Sequence, residues 1–163
     1  MKIANRMENL SPSVTMAITA LARELKAQGK DILSFSAGEP DFDTPEIIKQ
    51  AAIKAINDGQ TKYTAVEGII ATKQAIINKL KKDHNLDYKL DNILISNGAK
   101  HSLFNLFQVL VEEGDEVIIP APYWVTYPEQ VKFSDGVPVF IDTDDSTEFK
   151  ITPEQLKAVI TPK

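Results

Sequence analysis

The chain of 163 residues has no cysteine, which excludes a disulfide scaffold and any thiolate metal site and fits a reducing compartment. Histidine is nearly missing too. His84 and His101 stand far apart without a ligand-spaced partner, so neither is a metal candidate. There is no long apolar run, and the N-terminus carries Lys2, Arg6 and Glu8 in place of an apolar h-region. Neither a signal peptide nor a membrane span is indicated, and the expected location is cytoplasmic. Lys and Arg number 18 against 23 Asp and Glu, for a net charge of −5, and the basic residues are dispersed among acidic ones. Nucleic acid is therefore not an expected partner. Ser-His-Asp order, a glycine-rich dinucleotide fingerprint and a Walker sequence are all absent. The acidic run Asp142-Thr-Asp144-Asp145 resembles the start of a calcium loop, but Thr147 and Pro153 occupy the positions that need glycine and glutamate. It reads as a solvated loop.

What is present is apolar material for one sizeable core, at 43% hydrophobic content, and one domain is the default. Ser11-Pro12 sets an N-cap and first-turn proline for a helix whose apolar positions Val14, Ala17, Ile18, Leu21, Ala22 and Leu25 recur until Gly29. Ile32 to Phe35 is short and apolar, and a turn region from Gly38 to Asp43 follows it. Thr44-Pro45-Glu46 opens a second helix that ends at Asn57-Asp-Gly59, and a third runs from about Ile69 to Lys82. From residue 91 onward the pattern alternates. Strands are expected at Ile93 to Ser96, Glu116 to Ile119 and Val137 to Ile141, with helices at Ala99 to Val111 and Tyr127 to Phe133 between them. That order predicts parallel strands joined by right-handed crossovers in an α/β fold. Thr152-Pro153-Glu154 opens a last helix.

Four segments stand out for chemistry. Ser34-Phe-Ser-Ala-Gly-Glu-Pro-Asp-Phe-Asp-Thr-Pro-Glu46 is a turn-rich stretch built to present backbone, and it contains Gly38. At Gly38 the plain alternative is a turn glycine with positive φ. Ser96-Asn-Gly-Ala-Lys100 runs from the predicted strand into a helix, which aims unpaired N–H groups and the positive end of a helix dipole at one spot. Gly98 would let an anion reach the backbone there, and Ala99 and Lys100 would add first-turn N–H groups; a tight turn is the plain alternative. Pro122-Tyr-Trp-Val-Thr-Tyr-Pro128 holds Trp124, the lone tryptophan, just past the C-terminal end of a strand, where open α/β sheets place ligands. Trp124 otherwise reads as a core anchor. In Lys62-Tyr-Thr, Tyr63 sits in a polar setting and otherwise reads as a rim tyrosine.

In order and spacing these four segments resemble the class I pyridoxal-phosphate aminotransferases, specifically the bacterial aspartate (aspartate/prephenate) branch. The resemblance runs from about Ser11 to Lys163, and it implies the fold-type I transferase fold, a mainly parallel sheet flanked by helices. It further implies an arm helix and substrate-facing loop over 1–43 and the first part of the cofactor-binding large domain over 44–163. The implied cofactor is pyridoxal 5'-phosphate, bound by Gly98, Ala99, Lys100, Trp124 and Tyr63. Gly38 and Trp124 would contact substrate, and Tyr63 would reach the phosphate of the other subunit in a homodimer. The implied substrates are amino acids and 2-oxo acids, with amino transfer from aspartate to 2-oxoglutarate and prephenate as a further acceptor. Family members are well over twice as long, so the chain resembles an N-terminal fragment. No residue in it matches the family's catalytic lysine. Two alternatives stay open: a noncatalytic α/β piece that binds phosphate or a full-length subunit, and a cofactor enzyme that carries out β-elimination or decarboxylation instead. One departure is visible, at Gly68-Ile69-Ile70, where the family has Gly-Ile-Pro; the lost proline would relax a helix start at N1.

Overall fold

The computed structural model describes residues 2–36 and 38–163. Ala37, inside the turn-rich stretch, lies outside the described residues. The chain divides into two compact units, one made of residues 1–37 and 99–163 and the other of residues 38–98.

In the first unit a 3-10 turn, Asn5–Met7, precedes α1, Val14–Ala27. Ser13, not Ser11, caps α1: its hydroxyl accepts the Met16 N–H at 3.3 Å. Pro12 therefore precedes the helix instead of opening it, and the Ser11 N–H is bonded to the Glu129 carboxylate at 2.8 Å. The C-terminal end follows from Gly29. Its φ of +79° lets Lys30 donate back to Leu25 O and Gly29 to Lys26 O, the paired bonds that close a helix over a left-handed residue. The apolar segment Ile32 to Phe35 forms no strand, and Leu33 and Phe35 are exposed. A chain of hydroxyls, Ser34 to Ser36 at 2.9 Å and Ser36 to Thr19 at 3.1 Å, ties this segment to α1.

Helix α4, Ala99–Leu110, leads to strand β1, Glu116–Ala121, helix α5, Thr126–Phe133, and strand β2, Val137–Asp142. The two strands are parallel, with register running from Glu116 opposite Val137 to Ala121 opposite Asp142. Parallel partners need a crossover, and α5 supplies it. The core forms where α5 lies on the strands: Val131 is fully buried, and Ile119 and Ile141 nearly so. Phe104 of α4 meets Phe133 of α5 with ring centroids 5.6 Å apart. Helix α6, Pro153–Val159, is closed by a reciprocal cap: the Thr152 hydroxyl accepts the Gln155 N–H at 3.2 Å, and the Gln155 amide oxygen accepts the Thr152 N–H at 2.9 Å. The remaining Gln155 donor reaches Asp142 O at 3.1 Å, which anchors α6 to the end of β2.

The second unit holds α2, Glu46–Asn57, and α3, Ile70–His84, followed by a 3-10 turn at Leu90–Asn92. Helix α2 opens at Glu46 as the Thr44-Pro45-Glu46 signal predicts, although Pro45 occupies the cap and no side chain bonds there. It ends like α1, with Gly59 at φ +74°. Ile70 is the first helical residue of α3, which puts the family's missing proline at N1. The strand expected at Ile93 to Ser96 is not one. The segment has no ladder partner among the described residues; Ile95 donates a single bond, to Glu67 O at 3.0 Å. An extended backbone becomes a strand only when a neighbour satisfies its polar groups. Here the sequence pattern is real and the neighbour is lacking. Gly68 is required where it stands, since φ is +104° and an added Cβ would lie 2.3 Å from Ile95 Cγ1.

Candidate cofactor site

The site lies at the C-terminal end of β1. There the chain passes through a cis Ala121-Pro122 bond, Tyr123 and Trp124 before entering α5. Tyr123 is spent on packing: it stacks on Phe140 of β2 with centroids 4.9 Å apart and planes 20° from parallel. Trp124 is not a core anchor, as 48% of its surface is exposed. Its carbonyl accepts the Tyr127 N–H at 3.0 Å, which locks the tryptophan to the first turn of α5.

Lys100, in the first turn of α4, places its Nζ 5.3 Å from the centroid of the Trp124 ring. A cation at that range over an indole is attracted by the ring quadrupole. An exposed flat ring, a positive side chain and the N-terminal end of a 12-residue helix therefore meet within the first unit. The backbone of Lys100 is held as well. Gln130 of α5, only 9% exposed, donates its Nε2 to Lys100 O at 2.8 Å. Its other amide atom, Oε1, is buried and has no partner among the described residues.

Of the remaining predicted site residues, Ala99 is the first residue of α4 in the first unit, whereas Gly98, Gly38 and Tyr63 belong to the second. Gly98 closes that unit, one residue before α4 begins. Its φ of +80° demands glycine, whereas the space that a Cβ would occupy is open within 4 Å. Conformation, then, and not close approach of the backbone to a neighbour, fixes this residue in the structure. Gly38 has open space on the same criterion. Tyr63, between α2 and α3, is fully exposed. His101 falls in the first turn of α4 and His84 in the last turn of α3.

Two carboxyl groups titrate below the ordinary range. The Gln50 amide and then Lys49 hold Glu46 down, and the hydroxyl and N–H of Ser146 hold Asp144 down. Asp144 caps the 3-10 turn Asp145–Thr147 through one carboxylate oxygen, Oδ1, which accepts the Ser146 N–H at 2.9 Å. Sequence reasoning missed Gln130 altogether. Its only signal was a polar residue between Pro128 and Val131 on the side of α5 that turns out to be buried.

A half-exposed indole beside the first turn of a helix, at the C-terminal end of a parallel strand, suits a flat anionic ligand. The architecture is that of the large domain of the fold-type I pyridoxal-phosphate transferases. The chain belongs to the aminotransferase class I and II family, whose model matches residues 30–163. Aspartate aminotransferase of Geobacillus stearothermophilus is 56% identical over 163 residues, covering all of this chain and 42% of that protein. Aspartate/prephenate aminotransferase of Nitrosomonas europaea is 54% identical, again over the whole chain and 41% of the relative. Among solved structures, aspartate aminotransferase from Rhizobium meliloti superposes with a TM-score of 0.93 at 45% identity, over 99% of this chain and 40% of that one. The Thermus thermophilus aspartate aminotransferase with maleate gives 0.94 at 41% identity, over 99% and 42%. The chain therefore spans about two fifths of the length of the relatives it matches. No described helix is long and apolar enough to cross a membrane.

Proposed function

We propose that the polypeptide containing these residues is a pyridoxal 5'-phosphate-dependent aminotransferase that moves an amino group from aspartate to 2-oxoglutarate, with prephenate as a further acceptor. The observation that carries this reading is the meeting of Trp124 with the first turn of α4. The exposed indole offers a face for a pyridine ring, and α4 offers its N–H groups and Lys100 to a phosphate. When bound, the cofactor supplies an electron sink for chemistry at the substrate α-carbon. What the residues here contribute is binding and orientation. Trp124 holds the ring plane and one wall of the substrate site, Gly98, Ala99 and Lys100 cradle the phosphate, and Gly38 offers its backbone to the substrate carboxylate. Tyr63, free of contacts that would bury it, serves the phosphate of a second subunit in a homodimer. Proton transfer falls to a lysine outside these residues. Residues 1–43 act as arm helix and substrate-facing loop and 44–163 as the first part of the large domain, in a cytoplasmic enzyme of amino-acid biosynthesis.

The test is an assay of the full-length polypeptide with aspartate and 2-oxoglutarate, with prephenate as the alternative acceptor. Cofactor-dependent production of oxaloacetate and glutamate is expected. A protein that binds pyridoxal phosphate but releases ammonia or carbon dioxide from amino acids would replace this reading with β-elimination or decarboxylation.

A further inference from the structure

The geometry points to Gln130 as a positioning residue for the cofactor site: its amide fixes the first turn of α4 relative to Trp124. This inference rests on the assignment of Trp124 and Lys100 to that site.

Two amide tethers join α4 to α5. At the far end, Gln108 Nε2 donates to Ser134 Oγ at 2.7 Å. At the site end, Gln130 Nε2 donates to Lys100 O at 2.8 Å. The far tether is an ordinary packing bond, and its acceptor hydroxyl goes on to donate to Gln130 O at 3.0 Å. The near tether differs in two respects. It grips the one residue that presents both a first-turn backbone and the ammonium over Trp124. Its anchor is α5, to whose first turn the Trp124 carbonyl is bonded, so a single side chain sets the spacing between indole and helix terminus.

The second respect is its cost. Because Lys100 O must accept, the amide has to present Nε2 to it, and Oε1 is left in the interior with no partner among the described residues. A buried acceptor without a donor opposes folding. An apolar side chain of the same length would fill the space without that penalty, so stability alone does not account for glutamine at this position. A fixed separation between ring and helix end does.

The experiment compares Gln130→Met with Gln108→Met in the full-length enzyme, reading the dissociation constant for pyridoxal phosphate and the melting temperature. Loss of one neutral hydrogen bond that acts on the site should weaken cofactor binding about five-fold in Gln130→Met. Its melting temperature should not fall, since the orphaned oxygen goes with the amide. Gln108→Met should lower the melting temperature and leave cofactor affinity unchanged. A loss of affinity specific to Gln130→Met supports the inference. Unchanged affinity, or an equal loss in both variants, overturns it and reduces Gln130 to helix packing. If Gln130→Met does not fold, Gln130→Leu, which likewise offers Lys100 O no donor, takes its place and the same comparison applies. Trp124→Ala and Lys100→Ala separate the two levels: if they weaken binding and Gln130→Met does not, only the positioning role fails, and if neither weakens it, the reading of the site fails.

Discussion

The two units bury very different things. In the first, Val131, Ile119 and Ile141 close a small core between α5 and the two strands, and polar side chains such as Gln130 and Ser134 are buried with them. In the second, the one described residue that is buried is Lys73 of α3, while Ile47, Ile48 and Ile56 of α2 stay exposed. Both units carry helices with an apolar stripe, so periodicity does not separate them. Partners do. In the first unit a strand, its crossover helix and the next strand follow one another within residues 116–142, so each apolar face finds its cover locally. Within these residues helix α2 has the stripe without the cover, and an uncovered stripe contributes little to stability.

The sharpest challenge to this contrast is Gly68, the second-unit glycine with the least room for a side chain. A Cβ there would meet Ile95 at 2.3 Å on a backbone at φ +104°, so Gly68→Ala should cost about 3 kcal/mol from overpacking and left-handed strain together. Denaturant unfolding of the full-length protein measures it. A cost near zero would mean that the loop simply yields and the second unit is loose throughout. Next comes a matched pair. In the 163-residue chain, Val131→Ala empties a fully buried position and should cost about 2 kcal/mol, whereas Ile56→Ala on α2 should cost less than about 0.5 kcal/mol. Equal costs would erase the distinction between the units. Thr152→Ala removes the reciprocal cap of α6 and should cost about 1 kcal/mol in the same measurement. The smallest effect concerns Asp144. Its carboxyl is held below the ordinary range by Ser146, so its contribution is complete at neutral pH and is lost as pH falls through the lowered value. An NMR titration should place Asp144 below unpaired aspartates, and Ser146→Ala should return it toward them.

Much of this was readable in the sequence where the signal is local. The glycine stops at Gly29 and Gly59, the Thr152-Pro153 start and the order β1, α5, β2 all depend on residues a few positions apart. Readings that depended on distant partners fared differently. Ser11 is tied by its N–H to a carboxylate 118 residues away while Ser13 caps α1, and Ile93 to Ser96 meets no neighbour among the described residues to make it a strand. Trp124 was legible as a residue at a strand's end, but its exposure and the approach of Lys100 were not. Gln130 was invisible because its meaning lies in one bond, to Lys100 O, that no sequence pattern encodes.

The central claim is that the first unit recognises the cofactor through Trp124 and the start of α4. Titration of the full-length apoprotein with pyridoxal phosphate, wild type against Trp124→Ala, tests it most directly. Stacking on the indole is worth about 0.5 to 1.5 kcal/mol beyond area, so affinity should fall at least about two-fold and up to about ten-fold. Identical dissociation constants for the two proteins would contradict the account.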